Sequence, residues 1–274
     1  HEQFKGDSLA VRGEGYGIES LTVDGNNILE VYTTVKEKME SIRANPRPVL
    51  VECFTFRMRG HEEASGTKYV PKHVMDHWSK KDPVINFENF LVDEKVYSKD
   101  EISAVRDDLQ SEIISSVKKS FSDSEITVSS ETEITDVFYP YSQKVIYPVD
   151  KSISERRYVD AVSDALRQSM NKYKDLIIMG QDISDYGGVF KVTEGFVEEF
   201  GRDRVRNTPL CESAIIGTAL GLSIDGIKSV VEMQFADFVT CGFNQIVNNL
   251  AKIHYRWGQN ADVVVRMPTG GGVS

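Results

Sequence analysis

Apolar residues recur along this chain with two periods, and the change from one period to the other marks its elements. Ile28, Val31, Tyr32, Val35, Met39 and Ile42 fall on one side of a helix predicted over Asn27 to Ile42. Pro48 then introduces Val49 to Phe56, rich in β-branched and aromatic residues, which predicts a strand. Before these, Ser8 to Tyr16 reads as a short helix and Leu21 to Val23 as a short strand. Arg57 to Pro71 is polar and glycine-bearing and reads as a loop leaving a strand end. Ser98 and Glu101 have the spacing of a capping box, and Ile102, Val105, Leu109, Ile113, Val117 and Phe121 mark the apolar side of the helix that follows.

Beyond a stretch rich in Ser, Thr, Asp and Glu from Ser122 to Ile153, the pattern alternates. Helices are expected over Arg156 to Lys172, Val192 to Phe200, Ser213 to Leu222 and Asp237 to Trp257. Strands are expected over Leu176 to Met179, Val205 to Arg206, Ser229 to Met233 and Asp262 to Met267. Strand and helix in alternation predict an α/β fold, with parallel sheets flanked by helices. The polar stretch, with Pro140 and Pro148, reads as a linker that Phe138, Tyr139 and Tyr141 could dock on a surface. No internal repeat is present.

Length allows two domains, because 274 residues exceed the usual size of one. The net charge of −10, with no basic block, argues against nucleic acid or an anionic membrane as the main partner. No apolar run approaches the roughly 20 residues of a membrane span, and no signal peptide is read at the start. Cys53, Cys211 and Cys241 are scattered and odd in number, so they read as reduced thiols of a cytoplasmic protein. The chain opens on His1 and stops in the glycine-rich run from Thr269 to Ser274. We therefore expect an internal fragment of a longer enzyme.

The segment from Asn207 to Ser213 sets one carboxylate, Glu212, between a short strand and a helix rich in small residues. A carboxylate in a first helical turn sits in the positive field of the helix dipole. Packing among Leu210, Ile215 and Ile216 would partly desolvate it. These are conditions for a carboxyl with a catalytic task, although a plain helix cap fits the same position.

From Tyr158 onward, four words occur in one order: Gly187-Gly188-Val189-Phe190-Lys191-Val192-Thr193, Arg206 to Glu212, Glu232 to Phe238, and Phe243 to Asn248. With these words the chain closely resembles the beta part of the thiamine-diphosphate-dependent decarboxylase component of 2-oxo acid dehydrogenase complexes. From about Glu2 to Phe121 it resembles the C-terminal half of the alpha part. There the words are Val23-Asp24-Gly25-Asn26-Asn27, Arg57-Met58-Arg59-Gly60-His61 and Lys81-Asp82-Pro83. The resemblance implies a fused alpha–beta polypeptide with a transketolase-like fold and two partial domains, residues 1–121 and 154–274, joined by a linker over 122–153.

What the resemblance implies for the residues is specific. Glu212 matches the glutamate that hydrogen-bonds a ring nitrogen of the aminopyrimidine. That contact favours the imino tautomer, which removes the thiazolium proton. The hard chemistry belongs to the cofactor, and the protein tunes it. His61 matches the loop histidine that moves a proton while the acyl group passes to a lipoyl domain, a task suited to imidazole near neutral pH. Gln234 matches a polar contact to the aminopyrimidine, Phe238 a ring beside it where many relatives have Tyr, and Leu210 a wall of the same pocket. Gln181 stands where relatives carry a glutamate, so a neutral amide replaces an ionisable group, and we do not expect Gln181 to be catalytic. Glu62 occupies the place of a serine that a kinase phosphorylates in mitochondrial relatives, and Glu62 and Glu63 also read simply as solvated charges. His73, His77 and His254 match no catalytic position.

The Gly-Asp-Gly and Asn-Asn words that hold diphosphate and magnesium in the family have no counterpart here. Residues 1–274 alone are therefore expected to be inactive, with the magnesium site outside them. The words look most like branched-chain members, implying 2-oxoisovalerate as substrate, with pyruvate or acetoin as the alternative. A homodimer is the default assembly. An inert assembly fragment, or a transketolase-like enzyme without a lipoyl partner, are readings from other classes, and His61 in its loop speaks against the second.

Overall fold

The computed structural model describes residues 4–142, 144–150 and 152–270. His1, the glycine-rich end from Gly271 to Ser274 and the side chain of Glu63, all read above, lie outside the described residues. The chain forms two compact units, one running to Ser124 and the other beginning at Glu125. Both are α/β, with parallel strands and helices between them, as the alternating pattern predicts.

The first unit is built on two parallel strands, β1 (Glu19–Asp24) and β2 (Val49–Phe54), in register from Glu19 opposite Val49 to Asp24 opposite Phe54. The short helix α1 (Val11–Glu14) precedes β1, and α2 (Ile28–Ala44) makes the crossover. Asn27 caps α2, its side chain accepting the Glu30 amide. A polar knot holds the turn: Asn26 donates through Nδ2 to Lys81 O at 2.7 Å, and its Oδ1 accepts from Thr55 Oγ1 at 2.6 Å.

Two helices that the pattern did not predict follow, α3 (Lys72–Ser79) and α4 (Pro83–Asp93). Asp82 caps α4 by accepting the Val84 and Ile85 amides, with Pro83 in the first turn. The helix α5 (Lys99–Ser122) carries the expected capping box, both arms formed between Ser98 and Glu101. The apolar sides of α2 and α5 are not covered within the unit. No described residue of either helix is buried, and Val105, Leu109 and Ile113 are each about half exposed. Two strands are too narrow a sheet to bury helices of this length.

The second unit begins inside the expected linker, which holds a short helix, α6 (Ser130–Asp136). Its Glu133 accepts from Tyr255 Oη at 2.6 Å, and Tyr139 sets its ring edge-on to His254. Four parallel strands follow in the order β4-β3-β5-β6: β3 (Ile177–Gly180), β4 (Val205–Asn207), β5 (Ser229–Glu232) and β6 (Val263–Arg266). Met170, Leu176, Ile178, Ile183, Phe196, Val205 and Val230 pack on one face, with α7 (Tyr158–Lys172) and α8 (Phe196–Phe200). Met179, Ile215, Ile216, Ala219, Val231 and Met233 pack on the other, against α9 (Glu212–Ile224).

Two expected helices are shorter or broken. The one expected from Val192 begins at Phe196, because Gly195 just before it is left-handed, with a φ of +78°. The one expected over Asp237 to Trp257 is a 3-10 turn at Ala236–Phe238, α10 (Val239–Gln245), a π-helical turn at Ile246–Leu250 and α11 (Ile253–Trp257).

Candidate active site

The strand order of the second unit dictates where a site can form. The chain leaves β3 towards β4 on one side, crosses back to β5, and leaves β5 towards β6 on the other side. Loops that leave the neighbouring strands β3 and β5 in opposite directions open a crevice at their carboxyl ends, the usual ligand position in open parallel sheets. Gln181 and Asp182 follow β3, and Met233 and Gln234 follow β5. Gly180, opposite Asn207 and Glu232, keeps the strands close: a Cβ there would sit 3.0 Å from Glu232 Cβ.

Glu212 enters this crevice from β4. The Thr208 amide donates to Gly180 O at 2.9 Å, tying the loop after β4 to the end of β3. Cys211 is the N-cap of α9 but forms no side-chain cap bond, and Glu212 is the first helical residue. Glu212 is thus no helix cap. It is 7% exposed, with Ile215 and Ile216 buried one turn on. Gly242 of α10 presses on the same turn, where a Cβ would come within 3.2 Å of Glu212 O.

Gln181, 6% exposed, donates through Nε2 to Glu212 Oε1 at 3.1 Å. Beside this pair Gln234 Nε2 donates to Asp182 Oδ2 at 3.5 Å, the long limit of such a bond. Consecutive residues, Gln181 and Asp182, therefore link Glu212 to Gln234. Phe238 is partly exposed and meets Phe235 edge-to-face at 6.0 Å between ring centres. Leu210 is 82% exposed, so it does not share in burying Glu212, contrary to expectation. It follows Pro209 in a loop tied down by backbone bonds from the Thr208 and Cys211 amides, and its side chain stays outside the packing. Thr208 Oγ1, in that loop, is buried without a hydrogen-bond partner among the described residues.

Two residues of this region escaped the sequence reading. Gln181 was set aside as a neutral replacement, yet it is the hydrogen-bond partner of Glu212. Glu232, the last residue of β5, is 3% exposed and pairs with Arg266 at the end of β6. Burial pushes the Glu232 carboxyl above its ordinary range, against the pull of the Arg266 guanidinium. Its signal was an acidic residue closing an apolar strand, matched by an arginine closing the next.

His61 belongs to the first unit. It is exposed, in the loop after β2, between Gly60 and a 3-10 turn at Glu63–Ser65. That loop doubles back tightly, since a Cβ on Gly60 would meet Gly66 O at 2.6 Å and Gly66 itself has a φ of +64°. Glu62 is exposed. Among the described residues no group of three or more His, Cys, Asp and Glu side chains is placed to hold a metal ion. No described helix is long and apolar enough to cross a membrane.

Comparison with known proteins divides the chain in the same two parts. Residues 1–129 match the family described as dehydrogenase E1 component, and residues 154–274 match the transketolase pyrimidine-binding domain. The beta subunit of 2-oxoisovalerate dehydrogenase from Bacillus subtilis (strain 168) is 43% identical over 123 residues, 44% of this chain and 38% of that protein. Beta subunits of the pyruvate dehydrogenase E1 component align over the same length and the same shares of each chain. Those of Staphylococcus epidermidis (strain ATCC 12228 / FDA PCI 1200) and Staphylococcus aureus (strain N315) are 42% and 43% identical. The chain thus spans 38% of the length of these relatives. It is similar over residues 1–129 to the dehydrogenase E1 component, over residues 154–274 to the transketolase pyrimidine-binding domain, and over 123 residues to beta subunits of 2-oxoisovalerate dehydrogenase and of the pyruvate dehydrogenase E1 component.

Proposed function

We propose that this chain is part of a thiamine-diphosphate-dependent 2-oxo acid dehydrogenase E1 component in which alpha-type and beta-type segments are fused. The observation that carries the reading is the buried Glu212 at the start of α9, one oxygen engaged by Gln181, at the carboxyl edge of a sheet that matches a pyrimidine-binding domain. A carboxylate so placed fits a ring nitrogen of an aminopyrimidine. Gln234 and Phe238 at the end of β5 fit a polar contact and a ring contact to it, Leu210 an outer wall, and the orphaned Thr208 hydroxyl a further donor. For the diphosphate and its magnesium ion we assign no residue of this chain.

Bound there, thiamine diphosphate supplies the carbanion chemistry that 2-oxo acid decarboxylation needs. Glu212 holds and moves a proton at the ring nitrogen. Ile215, Ile216 and Gly242 exclude water from the same turn. His61, exposed on its loop, moves a proton during acyl transfer to a lipoyl domain of the acyltransferase component. We assign domains to residues 1–121 and 154–274 with a linker over 122–153. The division into two compact units, and family matches that end at 129 and resume at 154, support two parts, although the second unit takes in most of the linker. The substrate is 2-oxoisovalerate, with pyruvate or acetoin as the alternative, and the enzyme is a cytoplasmic homodimer.

The test is calorimetry of the full-length protein with thiamine diphosphate and magnesium, followed by carbon dioxide release from 2-oxoisovalerate and pyruvate with an artificial electron acceptor. Saturable, magnesium-dependent binding and turnover of a 2-oxo acid are expected. Absence of cofactor binding by a folded protein refutes the reading.

A further inference from the structure

The Gln181–Glu212 pair carries an inference beyond the roles given above. Two side chains, each more than nine-tenths buried, meet at 3.1 Å, and the donor is an amide with no titratable proton. Among the described residues no charged side chain hydrogen-bonds to Glu212. The groups able to carry charge on the elements around it are Asp182 after β3, Arg206 on β4, Glu232 with Arg266 at the ends of β5 and β6, Asp237 before α10, and the thiols Cys211 and Cys241. Within α9 Glu212 is the sole charge, and α10 has none.

We propose that Gln181 is the positioning residue of this site: its amide locks the Glu212 carboxylate in one orientation, occupying Oε1 and offering Oε2 as the one oxygen for a ring nitrogen of the ligand.

The geometry gives the reason. A carboxylate at a first helical position turns about its own side-chain bonds, and the turn is stopped only by what it touches. Apolar neighbours such as Ile215 and Ile216 set its volume but not the direction of its oxygens. The Gln181 amide sets that direction, because Gln181 is held by the end of β3, which the Thr208 amide ties to the loop before Glu212. A neutral donor also holds the carboxylate without bringing a second charge into the crevice. The pair therefore holds one titratable group, Glu212.

The ligand-facing part rests on the proposed function; the lock itself does not. Two variants of the full-length protein separate them. Gln181→Glu keeps the shape but sets two carboxyls about 3 Å apart in a buried site, where both cannot ionise together. Without any cofactor, its melting temperature should fall below wild type by about 5 °C or more at pH 8, with the gap closing towards pH 5. Gln181→Leu removes the donor, and its calorimetric affinity for thiamine diphosphate with magnesium should drop about tenfold at unchanged stoichiometry.

A Gln181→Glu gap that does not vary with pH overturns the lock. Gln181→Leu binding as tightly as wild type overturns the ligand-facing role. If wild type binds no cofactor while the pH-dependent gap is present, the lock stands and the proposed function falls.

Discussion

Replacing Glu212 by glutamine separates what the side chain does for the fold from what it does for chemistry. The amide oxygen of the new residue still accepts from Gln181 Nε2, now 3.1 Å from Glu212 Oε1, so the buried donor keeps its partner. Volume is conserved beneath Ile215 and Ile216. The hydrogen bond loses its charge assistance, a matter of about 1 kcal/mol, and the favourable helix-dipole contact, about 0.5 kcal/mol, goes with it. Burying an amide instead of a carboxylate recovers part of this, so the net loss should stay near 1 kcal/mol, or about 3 °C in Tm for a protein of this size. The chemical loss is of another order. Removing the ionisable proton should cost roughly 10²–10⁴-fold, about 3–5 kcal/mol of barrier, in exchange of the thiazolium proton. Quenched-flow deuterium exchange on the full-length holoenzyme, read by NMR, gives that rate directly. A variant that exchanges as fast as wild type would refute the role of Glu212, whatever its stability. Glu212→Leu is the complementary case: it strands the Gln181 amide and should cost about 1–3 kcal/mol in stability.

His61→Ala should impair acyl transfer to a lipoyl domain more than decarboxylation followed with an artificial electron acceptor, and equal losses in the two assays would remove its proposed role. Arg266→Met leaves Glu232 buried without its counter-charge. Because burial already holds the Glu232 carboxyl above its ordinary value of 4.5, its contribution is complete below that pH and is lost as pH rises through the folded value. The variant's deficit should therefore grow from pH 4.5 to 8 towards about 3 kcal/mol in denaturant titrations, and a deficit that shrinks with pH would contradict this reading. Ile216→Ala, at a fully buried position beneath Glu212, should cost about 3 kcal/mol of stability in the same measurement. Residues 1–274 alone should bind thiamine diphosphate weakly, and micromolar, magnesium-dependent binding in calorimetry would show that the diphosphate contacts lie within them after all.

What could be read in the sequence was whatever has a local cause. The Ser98 and Glu101 capping box and the β-branched strands announced themselves, and the parallel α/β architecture followed from the alternation of strand and helix. Helix α4 was missed although Asp82-Pro83 is a start signal, because its apolar residues over Val84 to Val92 are interrupted by Asn86, Glu88 and Asn89 and show no single face. The break of the expected helix at Ile246–Leu250 has no marker such as Pro or Gly within it. Burial of Glu212 was legible from its neighbours. Its partner was not, since contact between Gln181 and Glu212 depends on β3 and β4 being adjacent in the sheet. Leu210 shows the limit in the other direction, for an apolar residue beside a site was read as packed when its loop leaves it in solvent.

The order β4-β3-β5-β6 has a consequence for handling the protein. Both outer strands present one row of backbone groups that no described strand pairs, but the two rows are unequal. On β4 the row spans three residues, with Arg206 in the middle and Asp203 just before it. On β6 it spans Val263-Val264-Val265-Arg266, three β-branched residues in succession, with Val264 55% exposed. A β-branched edge with one terminal charge, itself neutralised by Glu232, is a template for intermolecular sheet growth. Concentrated samples of residues 1–274 should aggregate through β6, and a lysine at position 264 is the place to stop it.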